Sequence, residues 1–278
     1  YFKSIKKNLN VKIILYFHND PITLSGSKTV KERIDLIENC DFIFFNSKWT
    51  KNRFFLNLDE YKYLTKFTIS YQSTKKSKVN LSKKENLISF VGKLNSAKGY
   101  DVFGEAIIKI LDEFPLWKST VIGDEPREKH FFNHPRLKLY GFKSNRFILN
   151  KLKYTSISVV PSRWDEPFGR SSLEASSRGC ALIISNKGGL AETTKDALVI
   201  KEINEKNIYN CLKKLIKNKQ LRNDLQKKTY KNFYLTNEFI TSLIDNLRNS
   251  LLNLNEKRST QNKILKILHV TNLNERFD

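Results

Sequence analysis

No methionine occurs in the 278 residues, so Tyr1 is not a translation start and the chain reads as a fragment. Cysteine is scarce too. Cys40, Cys180 and Cys211 are odd in number and widely spaced, which argues against a disulfide framework or a clustered zinc site and suits reduced thiols. Long apolar runs are missing, so no membrane-spanning helix is expected. No basic, apolar and small-residue leader opens the chain, so no secretory signal is read. Acidic residues are outnumbered: 28 Asp and Glu face 50 Lys and Arg, for a net charge of +22. Such an excess attracts phosphate in any form, whether nucleic acid, anionic membrane or nucleoside diphosphate. The lysines are scattered (Lys213-Lys214, Lys217, Lys219, Lys227-Lys228), as on a solvated helical surface. Peripheral contact with an anionic membrane is the next reading. Nucleic acid is not expected as a partner, because no helix-turn-helix, zinc-finger or RNA-binding signature is present.

What is present suffices for a core. Hydrophobic residues make up 40% and aromatics 12%, enough for about two domains at this length. Short apolar runs alternate with amphipathic stretches. Val11–Phe17 reads as a strand, Lys28–Asn39 as a helix capped by Ser27, Phe42–Phe45 as a strand, then a helix capped by Ser47 and a strand over Phe67–Tyr71. The polar stretch Ser73–Glu85 reads as a linker. A second series follows, with strands at Leu87–Val91, Ser119–Ile122, Leu137–Tyr140, Ser156–Val160, Ala181–Ile184 and Leu198–Ile200. Its helices are Tyr100–Phe114, Asn145–Lys153, Arg170–Arg178, Glu205–Lys217 and Asn218–Asn232. Repeated strand–helix–strand units predict α/β architecture with parallel sheets. The expected divisions are 1–75 for the later part of an N-terminal domain and 84–235 for a second domain. A helix over 236–254 is free to pack back on the first, and 263–278 looks like the opening strand of a further domain.

Two segments carry chemistry. Gly92-Lys93-Leu94-Asn95-Ser96-Ala97-Lys98-Gly99 lies between a strand and a helix. Gly92 permits a sharp turn, and Lys93 and Lys98 would face the crevice beyond the strand's carboxyl end, where open α/β sheets bind ligands. Two ammonium groups there suit a diphosphate whose charge grows as it leaves. The second segment is Glu166-Pro-Phe-Gly-Arg-Ser-Ser-Leu-Glu174. Phe168 and Gly169 make a turn where Gly169 allows an anion to approach the backbone closely, and a helix beginning at Arg170 presents free N–H groups to a phosphate. Gly92, Phe168, Gly169, Arg170 and Glu174 are the expected nucleotide-binding residues. Carboxylates repel phosphate, so Glu166 and Glu174 make better sense as acceptors for hydroxyls on either side of it. Glu166 would face the transferred sugar and Glu174 the nucleoside ribose. No His–Cys or His–carboxylate spacing suggests a metal.

The Glu-x7-Glu pattern in Glu-Pro-Phe-Gly…Leu-Glu-Ala resembles the signature of family 4 of the retaining glycosyltransferases, whose fold is the two-Rossmann GT-B type. Phe90-Val91-Gly92-Lys93-Leu94…Lys98-Gly99 resembles that family's diphosphate clamp, with Lys93 in place of the usual Arg. Asn186–Glu192 resembles its Gly-Gly-Leu-Pro-Glu loop, with Ala191 in place of Pro. His18 occupies the place of the family's first-domain histidine beside the donor sugar. The resemblance runs from about Val11 to Leu254 and implies an incomplete N-terminal Rossmann-like domain ahead of the donor domain. It implies transfer of a sugar from a nucleoside diphosphate sugar to a hydroxyl acceptor with retained configuration, and no bound cofactor or metal. Carbohydrate or glycolipid acceptors, cell-envelope polysaccharide synthesis and a cytoplasmic location at the inner membrane face follow as expectations. A sugar-nucleotide epimerase or phosphorylase on the same fold, and a basic nucleic-acid-binding protein, are the competing readings.

Overall fold

The computed structural model describes residues 12–256. The expected strand at the end of the chain, within 263–278, lies outside the described residues. The described residues form two compact units, one of residues 12–72 with 238–256 and the other of Ser73–Asn237.

In the first unit, strands β1 (Ile14–Phe17), β2 (Phe42–Phe45) and β3 (Phe67–Ile69) pair in parallel in that order. The register sets Ile14 beside Phe42 and Ile43 beside Phe67. Because side chains alternate across a strand, Leu15, Phe17, Ile43 and Phe45 go to one face, with Phe54, Phe55 and Leu58. Ile14, Phe42 and Phe44 go to the other, where Leu247 packs. Leu247 belongs to the final helix, Asn237–Glu256, so that helix covers the sheet face left by the rest of the unit. Helix α1 (Val30–Asn39) is capped by Thr29 rather than Ser27. The difference lies in Glu32, whose carboxylate returns to the Thr29 N–H at 2.7 Å and closes a capping box. Ser27 instead donates to the Pro21 carbonyl. Ser47 caps α2 (Lys48–Phe54) as expected.

The second unit holds a six-stranded sheet, all parallel. Its strands are β4 (Glu85–Val91), β5 (Lys118–Ile122), β6 (Leu137–Leu139), β7 (Thr155–Val160), β8 (Ala181–Ser185) and β9 (Ala197–Ile200), in the order β6-β5-β4-β7-β8-β9. The central strands are apolar runs buried on both faces, as a sheet covered by helices requires. Ile88, Phe90, Val121, Ile157, Val159 and Ile183 form the core with Phe103, Ile107 and Ile110 of α3 (Tyr100–Glu113). The remaining helices are α4 (Asn145–Tyr154), α5 (Arg170–Ser176), α6 (Glu205–Lys217) and α7 (Lys219–Asn232); the final helix is α8. Helix α5 ends at Ser176, two residues before the expected Arg178. Arg178 is buried and donates to the Lys75 carbonyl at 2.7 Å. The stretch expected to be a linker is therefore tied down along its length. Thr74 N–H donates to the Leu235 carbonyl, the Tyr230 hydroxyl to the Ser77 carbonyl, and half-buried Lys84 to the carbonyls of Leu152 and Arg178.

The chain order reverses at β4. From there it runs outward through β5 and β6 on one side, and through β7, β8 and β9 on the other. The loops after β4 and β7 thus leave the sheet side by side at the point where such folds bind ligands.

Candidate active site

The loop after β4 carries Lys98 on a single 3-10 turn, Ser96–Lys98. Asn95 caps this turn, its side-chain oxygen accepting from the Lys98 N–H at 3.0 Å. The loop after β7 clamps it from the other side. Backbone N–H groups of Arg163 and Trp164 both donate to the Ala97 carbonyl at 2.9 Å. The Arg163 guanidinium reaches the Ser96 carbonyl at 2.7 Å and both oxygens of Asp101 at 2.7 and 2.9 Å. Gly99 closes the turn at φ 70°, and a side chain there would lie 2.2 Å from the Pro161 carbonyl oxygen. Only glycine fits so close a backbone approach.

Lys98 and Glu166 come together across the two loops. The Lys98 Nζ lies 2.6 Å from Glu166 Oε1, with side chains 27% and 13% exposed. Both charges thus meet in a partly desolvated crevice, where each is worth more than in bulk water. The Asn186–Glu192 loop holds the backbone of Glu166. Gly188 pairs with it as an isolated parallel bridge, and the Gly189 N–H donates to the Glu166 carbonyl at 2.6 Å. Gly188 sits at φ 60°, and a Cβ there would come within 2.2 Å of that carbonyl oxygen.

Glu174 is 4% exposed, so it is not a surface helix position. Its carboxylate accepts from Asn145 Nδ2 at 2.8 Å and from Arg170 at 3.1 Å. Burial raises its pKa, opposed by Arg170 and Asn145. Arg170 is the exposed partner of this pair. Phe168 departs from expectation: its ring is 1% exposed and anchors the turn in the core, so it offers a ligand no ring surface. At Gly169, φ 109°, the place of a side chain is taken by Leu190 Cδ1, 2.5 Å from an added Cβ. Packing of the Leu190 loop, rather than the approach of an anion, accounts for that glycine.

Gly92 turns the chain out of β4. Its N–H donates to the Ile122 carbonyl at 3.1 Å, and its own carbonyl lies where a Cβ on Gly123 would be, at 1.9 Å. Lys93 is exposed to solvent, unlike Lys98. His18 follows β1 in the first unit, half-buried, with its Nδ1 3.3 Å from Gln72 Nε2 and its ring centroid 4.1 Å from that of Tyr16. Burial pushes the Tyr16 hydroxyl up to about 12, so it stays protonated and donates to the Ser70 carbonyl. Among the described residues, no three His, Cys, Asp or Glu side chains gather as a metal site would.

Sequence reasoning missed Asn145, Arg163 and Gly123. Asn145 opens a helix and Arg163 follows a strand, so neither carries a local signal. Gly123 ends a strand beside Gly92, and that position alone could have marked it.

Comparison with known proteins bears on this geometry. The family model described as glycosyl transferases group 1 matches residues 71–232, more than half the chain. The chain belongs to the glycosyl transferases group 1. YtcC of Bacillus subtilis (strain 168) is 22% identical to this group 1 chain over 260 residues, covering 81% of the chain and 63% of YtcC. The chain thus spans less than two thirds of the curated relatives it matches. Among solved structures, Anabaena Alr3699/HepE in complex with UDP-glucose aligns with a TM-score of 0.70 at 14% identity, over 86% of this chain and 72% of that one. Sucrose-phosphate synthase of Thermosynechococcus elongatus aligns with a TM-score of 0.68 at 16% identity, over 91% and 71%. At these identities the likeness concerns the fold, which is GT-B: α/β, with two Rossmann-like parallel sheets.

Proposed function

We propose that this chain carries the donor-binding part of a retaining glycosyltransferase, moving a sugar from a nucleoside diphosphate sugar to a hydroxyl of a carbohydrate or glycolipid. The observation that carries the reading is the Lys98–Glu166 pair at the switch point of the six-stranded sheet. On donor binding the diphosphate takes the Lys98 ammonium, and Glu166 is freed to accept from a hydroxyl of the transferred sugar. Charge builds on the leaving diphosphate as the glycosidic bond breaks, and a fixed ammonium lowers the energy of that state more than of the ground state. Lys93 and Arg170 add mobile positive charge at the rim. Glu174, held by Asn145, accepts from the ribose. The leaving phosphate itself assists in taking the acceptor proton. His18 of the first unit is assigned to the sugar.

The reading includes no resident metal or cofactor, the lysines carrying the charge of the diphosphate. The wider role we assign is cell-envelope polysaccharide or glycolipid synthesis at the cytoplasmic face of an anionic membrane. It is supported by the +22 charge and consistent with the described helices, none of which is long and apolar enough to cross a membrane. A thermal-shift panel of UDP-, GDP-, ADP- and dTDP-sugars tests the core of the proposal. Stabilisation by at least one nucleoside diphosphate sugar, lost in Lys98→Ala, is expected; no response to any of them would end it.

A further inference from the structure

We infer that Glu128 is a positioning residue for the Lys98 turn, acting through Ser96 with His130 as its second partner. The inference rests on the donor-site reading of Lys98.

Glu128 lies in the loop between β5 and β6, outside the Lys98–Glu166 pair. One of its oxygens, Oε1, gathers three donors. The Ser96 backbone N–H reaches it at 2.9 Å, the Ser96 hydroxyl donates to it, and His130 Nε2 lies 2.7 Å away. His130 also touches the Ser96 hydroxyl at 3.2 Å. Ser96 is the first residue of the turn whose last residue is Lys98. The same loop holds the preceding residue as well: Glu125 accepts from Asn95 Nδ2 at 3.2 Å, and Asn95 caps Lys98. Two carboxylates from one loop therefore grip the two residues that open the Lys98 turn.

That loop is itself seated. The Phe132 ring lies over Gly104, so close that a Cβ there would be 2.0 Å from Cε2, and it meets Tyr100 edge-on at 5.6 Å. His130 faces the same Tyr100 ring at 6.1 Å and stacks on Phe132 at 6.4 Å. The charged groups near the latch are Glu128 itself, Glu125 with its fork partner Arg127, and Arg163, which holds the Ser96 carbonyl and Asp101. Tyr100 is held neutral by burial, and Ser96 and His130 keep Glu128 below the usual carboxylate range. Glu128 is thus held as the carboxylate, the acceptor that the Ser96 N–H, the Ser96 hydroxyl and the His130 ring all meet on one oxygen.

The test reads the Lys98 turn by amide NMR of the full chain, with UDP affinity and melting temperature as further readings. Glu128→Gln should move the Ser96 and Lys98 amide resonances and weaken UDP binding several-fold, with the melting temperature close to the parent value. His130→Gln, which keeps a side-chain donor at that place, should disturb the Ser96 amide less than Glu128→Gln does. Ser96 and Lys98 amides that stay in place in Glu128→Gln, or a Glu128→Gln chain that binds UDP as the parent does, would overturn the inference. Amides that move in Glu128→Gln when the wild-type chain never binds UDP would support the latch and sink the donor reading instead.

Discussion

Lys98 and Glu166 stand 2.6 Å apart in one ion pair although 68 positions separate them. Each loop alone would leave its charged side chain in solvent; the switch point between β4 and β7 brings them face to face. Lys98→Ala is expected to lower sugar transfer by about 10²–10³-fold, the usual effect of removing one fixed donor from a developing charge. Lys98→Arg should recover only part of it, because a guanidinium replaces a point charge by a planar fork. Steady-state transfer with the donor found in the thermal-shift panel checks both. Turnover near the parent rate in Lys98→Ala would remove Lys98 from the reaction.

Glu174 makes a prediction about stability. Its folded pKa is raised, chiefly by burial. A raised group contributes stability that is fully present below its unfolded pKa, roughly 4.3, and that is lost as pH rises through the folded value. At neutral pH the buried carboxylate is therefore a cost, offset by Asn145 and by an exposed Arg170 worth little. Glu174→Gln should melt at the same temperature as the parent or higher at pH 8, with that advantage shrinking toward pH 4. UDP affinity should fall in the same variant, since a carboxylate kept in place against its own desolvation is best explained by a ligand. A Glu174→Gln chain destabilised more at pH 8 than at pH 4 would contradict this assignment.

Much of the fold was legible because its elements are short apolar runs broken by Gly, Pro, Asp or Asn. Strand β7 was expected from Ser156 and begins at Thr155, and helix α6 falls on Glu205–Lys217 as expected. Helix α1 began two residues late because Ser27 and Thr29 are equally good caps in isolation, and only the return bond from Glu32 decides between them. The site was legible in its ingredients and not in its pairings. Glu166 and Lys98 each follow a strand, so the switch-point rule places both at one edge, yet no local pattern says that they touch. Glu174 lies on a helix face like any other; its bonding partner Asn145 comes from a helix start 29 positions away. Phe168 was misassigned for the converse reason, since a ring in a motif gives no sign of which way the turn faces.

Arg163 offers a way to loosen the Lys98 turn without touching its charge. Its Nη1 alone donates to both Asp101 oxygens and the Ser96 carbonyl, and the pair is 35% and 25% exposed. Its worth to stability is thus small, within about 1 kcal/mol. Arg163→Lys keeps the charge and loses the planar guanidinium that sets where this nitrogen sits. Melting temperature should stay close to the parent value while UDP affinity, read by titration calorimetry, drops. Equal losses in both would make Arg163 a structural residue only.

Gly188 and Gly141 separate strain from steric conflict. Both have positive φ, 60° and 65°, yet an added Cβ on Gly141 meets nothing within 4 Å, whereas on Gly188 it lies 2.2 Å from the Glu166 carbonyl oxygen. Gly141→Ala therefore costs left-handed backbone strain alone, about 1–2 kcal/mol. Gly188→Ala adds a contact that only a movement of backbone can relieve, and the backbone that moves is that of Glu166. Chemical denaturation should find Gly188→Ala the less stable of the two. If Glu166 is held by this bridge in the geometry the donor needs, Gly188→Ala should also lose UDP-sugar binding at temperatures where it remains folded. Gly188→Ala as stable as Gly141→Ala would mean that the loop yields freely and does not hold Glu166.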